Sequence, residues 1–147
     1  MRDMLHNKTV THLGNVTVTG TTPATSAYVD TRGFDACTIV VVANTVTDAG
    51  TASGFTVTLQ ESADTTDAAA GTVATTDTVD GSNTITVTSD SADNTNAGGL
   101  GYRGDDRYVG ITVTGTTGSD ADLSILAVQN KPHAAKTTFI GTAVART

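Results

Sequence analysis

Phe55-Thr-Val-Thr-Leu-Gln60 and Arg107-Tyr-Val-Gly-Ile-Thr-Val113 carry the pattern that decides the fold. In the first, Phe55, Val57 and Leu59 alternate with Thr56, Thr58 and Gln60, and in the second Val109, Ile111 and Val113 alternate with polar or small residues. Side chains of a strand point to opposite faces in turn, so this period predicts strands with one face in a core and one towards solvent. Cys37 to Ala43 differs: Ile39, Val40, Val41 and Val42 are apolar on both faces, which predicts a strand in the middle of a two-layer packing. Leu123 to Val128 is the last strong strand. The expected core is Ile39, Val41, Phe55, Val57, Leu59, Val109, Ile111, Val113, Ile125 and Val128.

Weaker strands are expected at Asn15–Thr19, Ser26–Asp30 and Ile85–Val87. Gly20-Thr-Thr-Pro23 and Asp30-Thr-Arg-Gly33 read as breaks, Asn44 to Gly54 as a hairpin connection and Ser89 to Gly99 as a polar loop. Residues 62–81 hold little besides Val73 and Val79, which predicts an exposed excursion with a short strand near Val73. No helical period runs beyond two turns. The expectation is an all-β antiparallel sandwich, jelly-roll or Ig-like, of about 7–8 strands. It divides into an N-terminal arm at 1–14, a β-sandwich domain at 15–130 and a C-terminal tail at 131–147.

Composition agrees. Of 147 residues, 32 are Thr and only 4% are aromatic, so aliphatic side chains must fill the core while threonines cover the pleat. Such a core leaves a lone domain marginal, which favours a symmetric homo-oligomer. Residues 34–102 contain eight Asp and Glu61 and no Lys or Arg, a net charge of −9; residues 1–32 and 103–147 each carry +1. With a net charge of −7, nucleic acid is not expected as a partner, because phosphate neutralisation needs clustered bases. No run approaches the ~20 apolar residues of a membrane span, and the N-terminus lacks the regions of a secretory signal, so synthesis in the cytoplasm without a cleaved leader is expected.

Little in the chain suggests catalysis or a cofactor, and neither is expected. The three His residues, His6, His12 and His133, lie near the ends, and no nucleophile-elbow pattern surrounds a Ser. Cys37 sits in the most apolar strand, as an inert thiol would. Asp64 with Asp67, Asp77 with Asp80, Asp90 with Asp93 and Asn94, and Asp105 with Asp106 are the candidate metal ligands. None follows a calcium-loop spacing, and turn formation is the expected role.

The order of segments carries a resemblance. Tyr28-Val-Asp-Thr-Arg-Gly-Phe-Asp35, the apolar strand after it, Phe55-Thr-Val-Thr-Leu-Gln-Glu-Ser-Ala-Asp64, Gly101-Tyr-Arg-Gly-Asp-Asp-Arg-Tyr-Val-Gly-Ile-Thr-Val113 and Leu123 to Pro132 together resemble small β-rich head proteins of tailed bacteriophages. Several of these are capsid decoration, or cement, proteins. The similarity spans roughly residues 28–134 and leaves both ends uncovered. It implies a virion protein on the capsid exterior that binds the major capsid protein, commonly as a homotrimer, and bridges capsomers. A phage tail tube, fibre or receptor-binding component is the alternative, and a calcium-dependent adhesion or carbohydrate-binding module a further one. The arm and tail have scattered apolar residues and lack the negative charge of the middle, so Met4, Leu5, His6, Val10, Leu13, Phe139, Ile140 and Val144 are the candidate contact residues.

Overall fold

Alternation is strongest where the chain has most to bury, and those segments become the long strands. The structure, a computed structural model, describes residues 8–47, 49, 54–65, 70–89 and 95–132. In chain order the strands are β1 (Lys8–Thr19), β2 (Ala24–Thr25), β3 (Val29–Asp30), β4 (Phe34–Thr47), β5 (Phe55–Ser62), β6 (Gly71–Thr72), β7 (Thr84–Val87), β8 (Thr95–Tyr102), β9 (Tyr108–Gly115) and β10 (Asp120–Pro132). A single 3₁₀ turn, Thr75–Asp77, is the one helical element among the described residues.

Two antiparallel sheets form. The first has the order β1-β10-β4-β8; the second has β2-β9-β5-β6, with β3 also on β9 and β7 also on β5. The chain crosses between sheets after β1, β3, β4, β7, β8 and β9. Counting β2 with β3 and β6 with β7 as interrupted strands gives eight, in the neighbour order of a jelly roll rather than of an immunoglobulin domain.

Between the sheets lie Val18 of β1, Ile39 and Val41 of β4, Leu123 and Ile125 of β10, Phe55, Val57 and Leu59 of β5, and Val109, Ile111 and Val113 of β9. Val128 is a correction to the expected core. Ile125 and Val128 are three residues apart on an unbroken stretch of β10, so they cannot share a face; Leu123, Ile125, Ala127 and Gln129 turn inward and Val128 turns out.

Several boundaries also move. Residues 8–14, expected in the arm, form the first part of β1 and pair with Asn130 to Ile125; Lys131 and Pro132, expected in the tail, end β10. A bulge between His12 and Gly14, where Gly14 has φ +105°, turns Leu13 into the core. Residues 44–47 extend β4, and the link from β4 to β5 passes from one sheet to the other, so it is not a hairpin. Residues 95–99, expected in a loop, belong to β8, whose described side chains include the inward anchors Leu100 and Tyr102.

The crossing into β5 depends on Gly54. Its φ is +74°, and a side chain there would overlap the Val87 carbonyl. Its own carbonyl accepts hydrogen bonds from the Thr116 amide (3.1 Å) and the buried Ser119 hydroxyl (2.9 Å), which tie the β9–β10 turn to this corner.

Phe55 is 1% exposed and is the largest fully buried side chain. Phe55→Ala is expected to lower unfolding free energy by ~3–5 kcal/mol in denaturant titrations, and a loss under ~1 kcal/mol would mean that the sheets do not close over this ring.

Candidate functional site: a self-satisfied polar end and an apolar outer face

Two regions gather the residues with chemistry to offer. The first is one end of the sandwich, where the turn after β3 meets the loop between β8 and β9. Asp30 is the last residue of β3 and Arg107 immediately precedes β9; pairing of the two strands sets them side by side. Arg107 donates from Nε to both Asp30 carboxylate oxygens (3.1 Å each) and from Nη2 to Oδ2 (2.7 Å). The Arg107 hydrogen bond holds the Asp30 carboxyl below its ordinary value, against a smaller opposing effect of burial. The guanidinium also lies 4.8 Å from the centre of the Tyr108 ring. Beneath the pair, the buried Gln129 amide donates to the Asp30 carbonyl (2.7 Å), while the Thr31 amide and hydroxyl both donate to the Arg107 carbonyl (2.8 and 2.9 Å).

Beside this pair, the Tyr102 hydroxyl donates to Glu61 Oε2 (2.7 Å) and accepts from the Asp106 amide (2.9 Å). Burial, reinforced by the Glu61 carboxylate, pushes the Tyr102 phenol far up, so it remains a neutral donor. Gly104 allows this approach: a Cβ there would lie 2.6 Å from the Tyr102 hydroxyl and 2.8 Å from Glu61. Arg103 donates from Nε and Nη2 to the Thr76 carbonyl (3.1 and 2.9 Å). An open cleft of about 140 Å³ between Thr31, Phe34 and Arg103 reaches towards Cys37, whose thiol burial pushes up to about 12. The polar side chains of this end thus largely satisfy one another, and the arrangement serves as a latch between turns.

For metals, no group of three or more His, Cys, Asp or Glu is gathered among the described residues. Asp80 accepts from the Ser82 amide and Asp77 from the Thr76 hydroxyl, as turn residues do. Asp67, Asp90, Asp93 and Asn94 lie outside the described residues.

The second region is the face of the first sheet turned away from the core. Register places Val10, Val128, Thr38 and Gly101 in one row across β1, β10, β4 and β8, and His12, Leu126, Val40 and Gly99 in the next. Val79 closes the first row, because its amide bonds to the Gly101 carbonyl and its side chain stands where a Gly101 Cβ would be. Val10 and Val79 are 44% and 66% exposed, and Val40, Val42, Leu126 and Val128 are half-buried. Further along β10 the face becomes polar and then acidic, through Ser124, Asp122 and Asp120, with Thr17 and Thr45 donating to Asp122.

Of the expected contact residues, Val10 lies on this face. Leu13 is 4% exposed, so the core takes it and no partner reaches it. Met4, Leu5, His6, Phe139, Ile140 and Val144 lie outside the described residues. The outer residues Val40, Val42, Leu126 and Val128 are not among the expected contact residues; for Val40 and Val42 the two-sided apolar pattern of β4 is the signal.

No protein-family model and no curated protein matches the chain. Among solved structures, the crystal structure of PBSX exported protein XepA matches with a TM-score of 0.50 and 11% identity over 94% of this chain. The chain spans 42% of the length of XepA, and the likeness is one of fold.

The Asp30–Arg107 pair yields a pH test. Because the folded-state carboxyl is depressed, its contribution is present above the ordinary value of 3.8 and lost as pH falls through the lower folded value. The side chains are 41% and 38% exposed, which keeps the effect small. Asp30→Asn is expected to cost under ~1 kcal/mol at pH 7, with the difference from wild type shrinking in acid denaturation series below that range. A difference that stays constant down to full protonation would remove the ion pair as its cause.

Proposed function

We propose that the chain is a structural protein of a tailed-phage virion, working by contact and not by catalysis. In this reading it binds the outer surface of an icosahedral head, beside the major capsid protein, and bridges capsomers as a decoration or cement protein. It assembles with copies of itself, as a homotrimer.

The observation that carries the reading is the outer face of the first sheet. A jelly roll needs only one apolar face per sheet, yet here Val10, Val40, Leu126, Val128 and Val79 turn outward on the other. Such a surface suits a protein that lives in an assembly. The polar end supports it from the other direction, since Arg107 is held by Asp30, Arg103 by the Thr76 carbonyl and Glu61 by the Tyr102 hydroxyl. The resemblance of residues 28–134 to phage head proteins points the same way, and a fold shared with a PBSX exported protein fits a phage-encoded part. Lys8 stands opposite Asn130 at one end of the first sheet, so residues 1–7 and 133–147 depart from the same region. In this reading Met4, Leu5, His6 and Val10 on one side and Phe139, Ile140 and Val144 on the other make the contacts. Stabilisation of the shell is then mass action: a ligand of the intact lattice shifts the equilibrium away from disassembly.

The test uses heads that lack this protein. Added full-length chain is expected to saturate them and raise the temperature at which they release DNA; deletion of residues 1–7, which leaves β1 whole, is expected to lower occupancy. Binding to tails with bare heads would point instead to a tail component. Binding to neither would defeat the reading.

A further inference from the structure

We propose that the outer face of the first sheet is the seat for the C-terminal segment, residues 133–147, of a second copy of this chain, so that copies are joined in a ring with each giving its tail to the next. This deepens the reading above by naming the occupant of the face, and rests on that reading only in taking the face as a contact surface.

The spacing of residues matches on the two sides. Along β10 the outward positions are Val128, Leu126, Ser124, Asp122 and Asp120: apolar, then neutral, then acidic. In the tail, Ile140, Thr142, Val144 and Arg146 share one parity, so an extended segment presents them on a single side. Laid antiparallel to β10, with Ile140 over the Leu126–Val128 band, the tail sets Arg146 six residues further on, over Asp122 or Asp120. The opposite direction would carry Arg146 past Asn130, towards Lys8. Residues 133–147 contain Lys136 and Arg146 and no acid, and the far end of the face is acidic, so charge as well as apolarity fixes the direction.

Reach and chain direction favour a neighbour. Pro132 is the last paired residue of β10, opposite Phe34, and the strand heads off the sheet there. Return onto its own face would need a reversal within His-Ala-Ala-Lys-Thr-Thr at 133–138, which has no Gly, Asn, Asp or Pro. Extended, those six residues span ~20 Å and residues 139–147 a further ~30 Å, enough to leave one copy and run along most of the next one's face. A head-to-tail contact of this kind generates a cyclic oligomer when the rotation between copies closes, and a filament when it does not.

The experiment is sedimentation of the full-length chain, with no shell present, so it stands or falls apart from capsid binding. Wild type is expected to form a closed oligomer. Ile140→Asp, which leaves every residue of the two sheets in place, and Leu126→Asp, on the face, are each expected to weaken assembly by roughly tenfold or more, since each buries a carboxylate in an apolar seat. Mixed in equal amounts, the two variants are expected to form a heterodimer, because one copy keeps a sound tail and the other a sound face. If Leu126→Asp does not fold, as judged by circular dichroism, Asp122→Lys serves as the face variant. A wild-type chain that stays monomeric, an Ile140→Asp variant that assembles like wild type, or a mixture that gives no heterodimer overturns the proposal; the first is the outcome if each tail covers its own face.

Discussion

β10 is bonded along nearly its full length to β1 on one side and β4 on the other, and the rest of the molecule is arranged around that double pairing. Because its side chains alternate, Leu123, Ile125, Ala127 and Gln129 must all point into the sandwich once any one of them does. A slip of one residue would exchange them for Asp122, Ser124, Leu126 and Val128 and place a carboxylate between the sheets. The register is therefore set by what the core refuses as much as by what it accepts. β4 inherits its orientation from this choice, and β8 inherits its own from β4.

Legibility followed side-chain period. Phe55, Val57, Leu59, Val109, Ile111 and Val113 are where alternation puts them, because threonine between aliphatic residues leaves one way to bury the latter. β8 escaped because Gly98, Gly99 and Gly101 supply backbone and no pattern; its existence depends on the neighbouring strand and on Val79 lying over it. Residues 8–14 looked patternless because the Leu13 bulge breaks the period there. The crossing between β4 and β5 has the composition of a hairpin, because a turn composition does not say which sheet receives the next strand. At the site, the apolar two-sided stretch of β4 was visible, but an outward valine and a doubly covered one have the same letter.

Two of the stretches that carried the resemblance, Tyr28–Asp35 and Gly101–Val113, turn out to be partners in space: Asp30 grips Arg107, and Thr31 caps the backbone of the same residue. Segments with similar strand-and-turn chemistry in other proteins need share no more than this way of fastening one end of a sandwich. The geometry explains why the motif is a structural signature: it fastens the turn after β3 to the start of β9.

The lone cysteine has a practical consequence. Cys37 is 3% exposed beneath the polar end, and its thiol is held protonated well above neutral pH. It will not take a label on the folded chain, so any surface probe must be introduced elsewhere. The same protection makes it a built-in clock, since a thiol reagent can consume it only at the rate at which the sandwich opens.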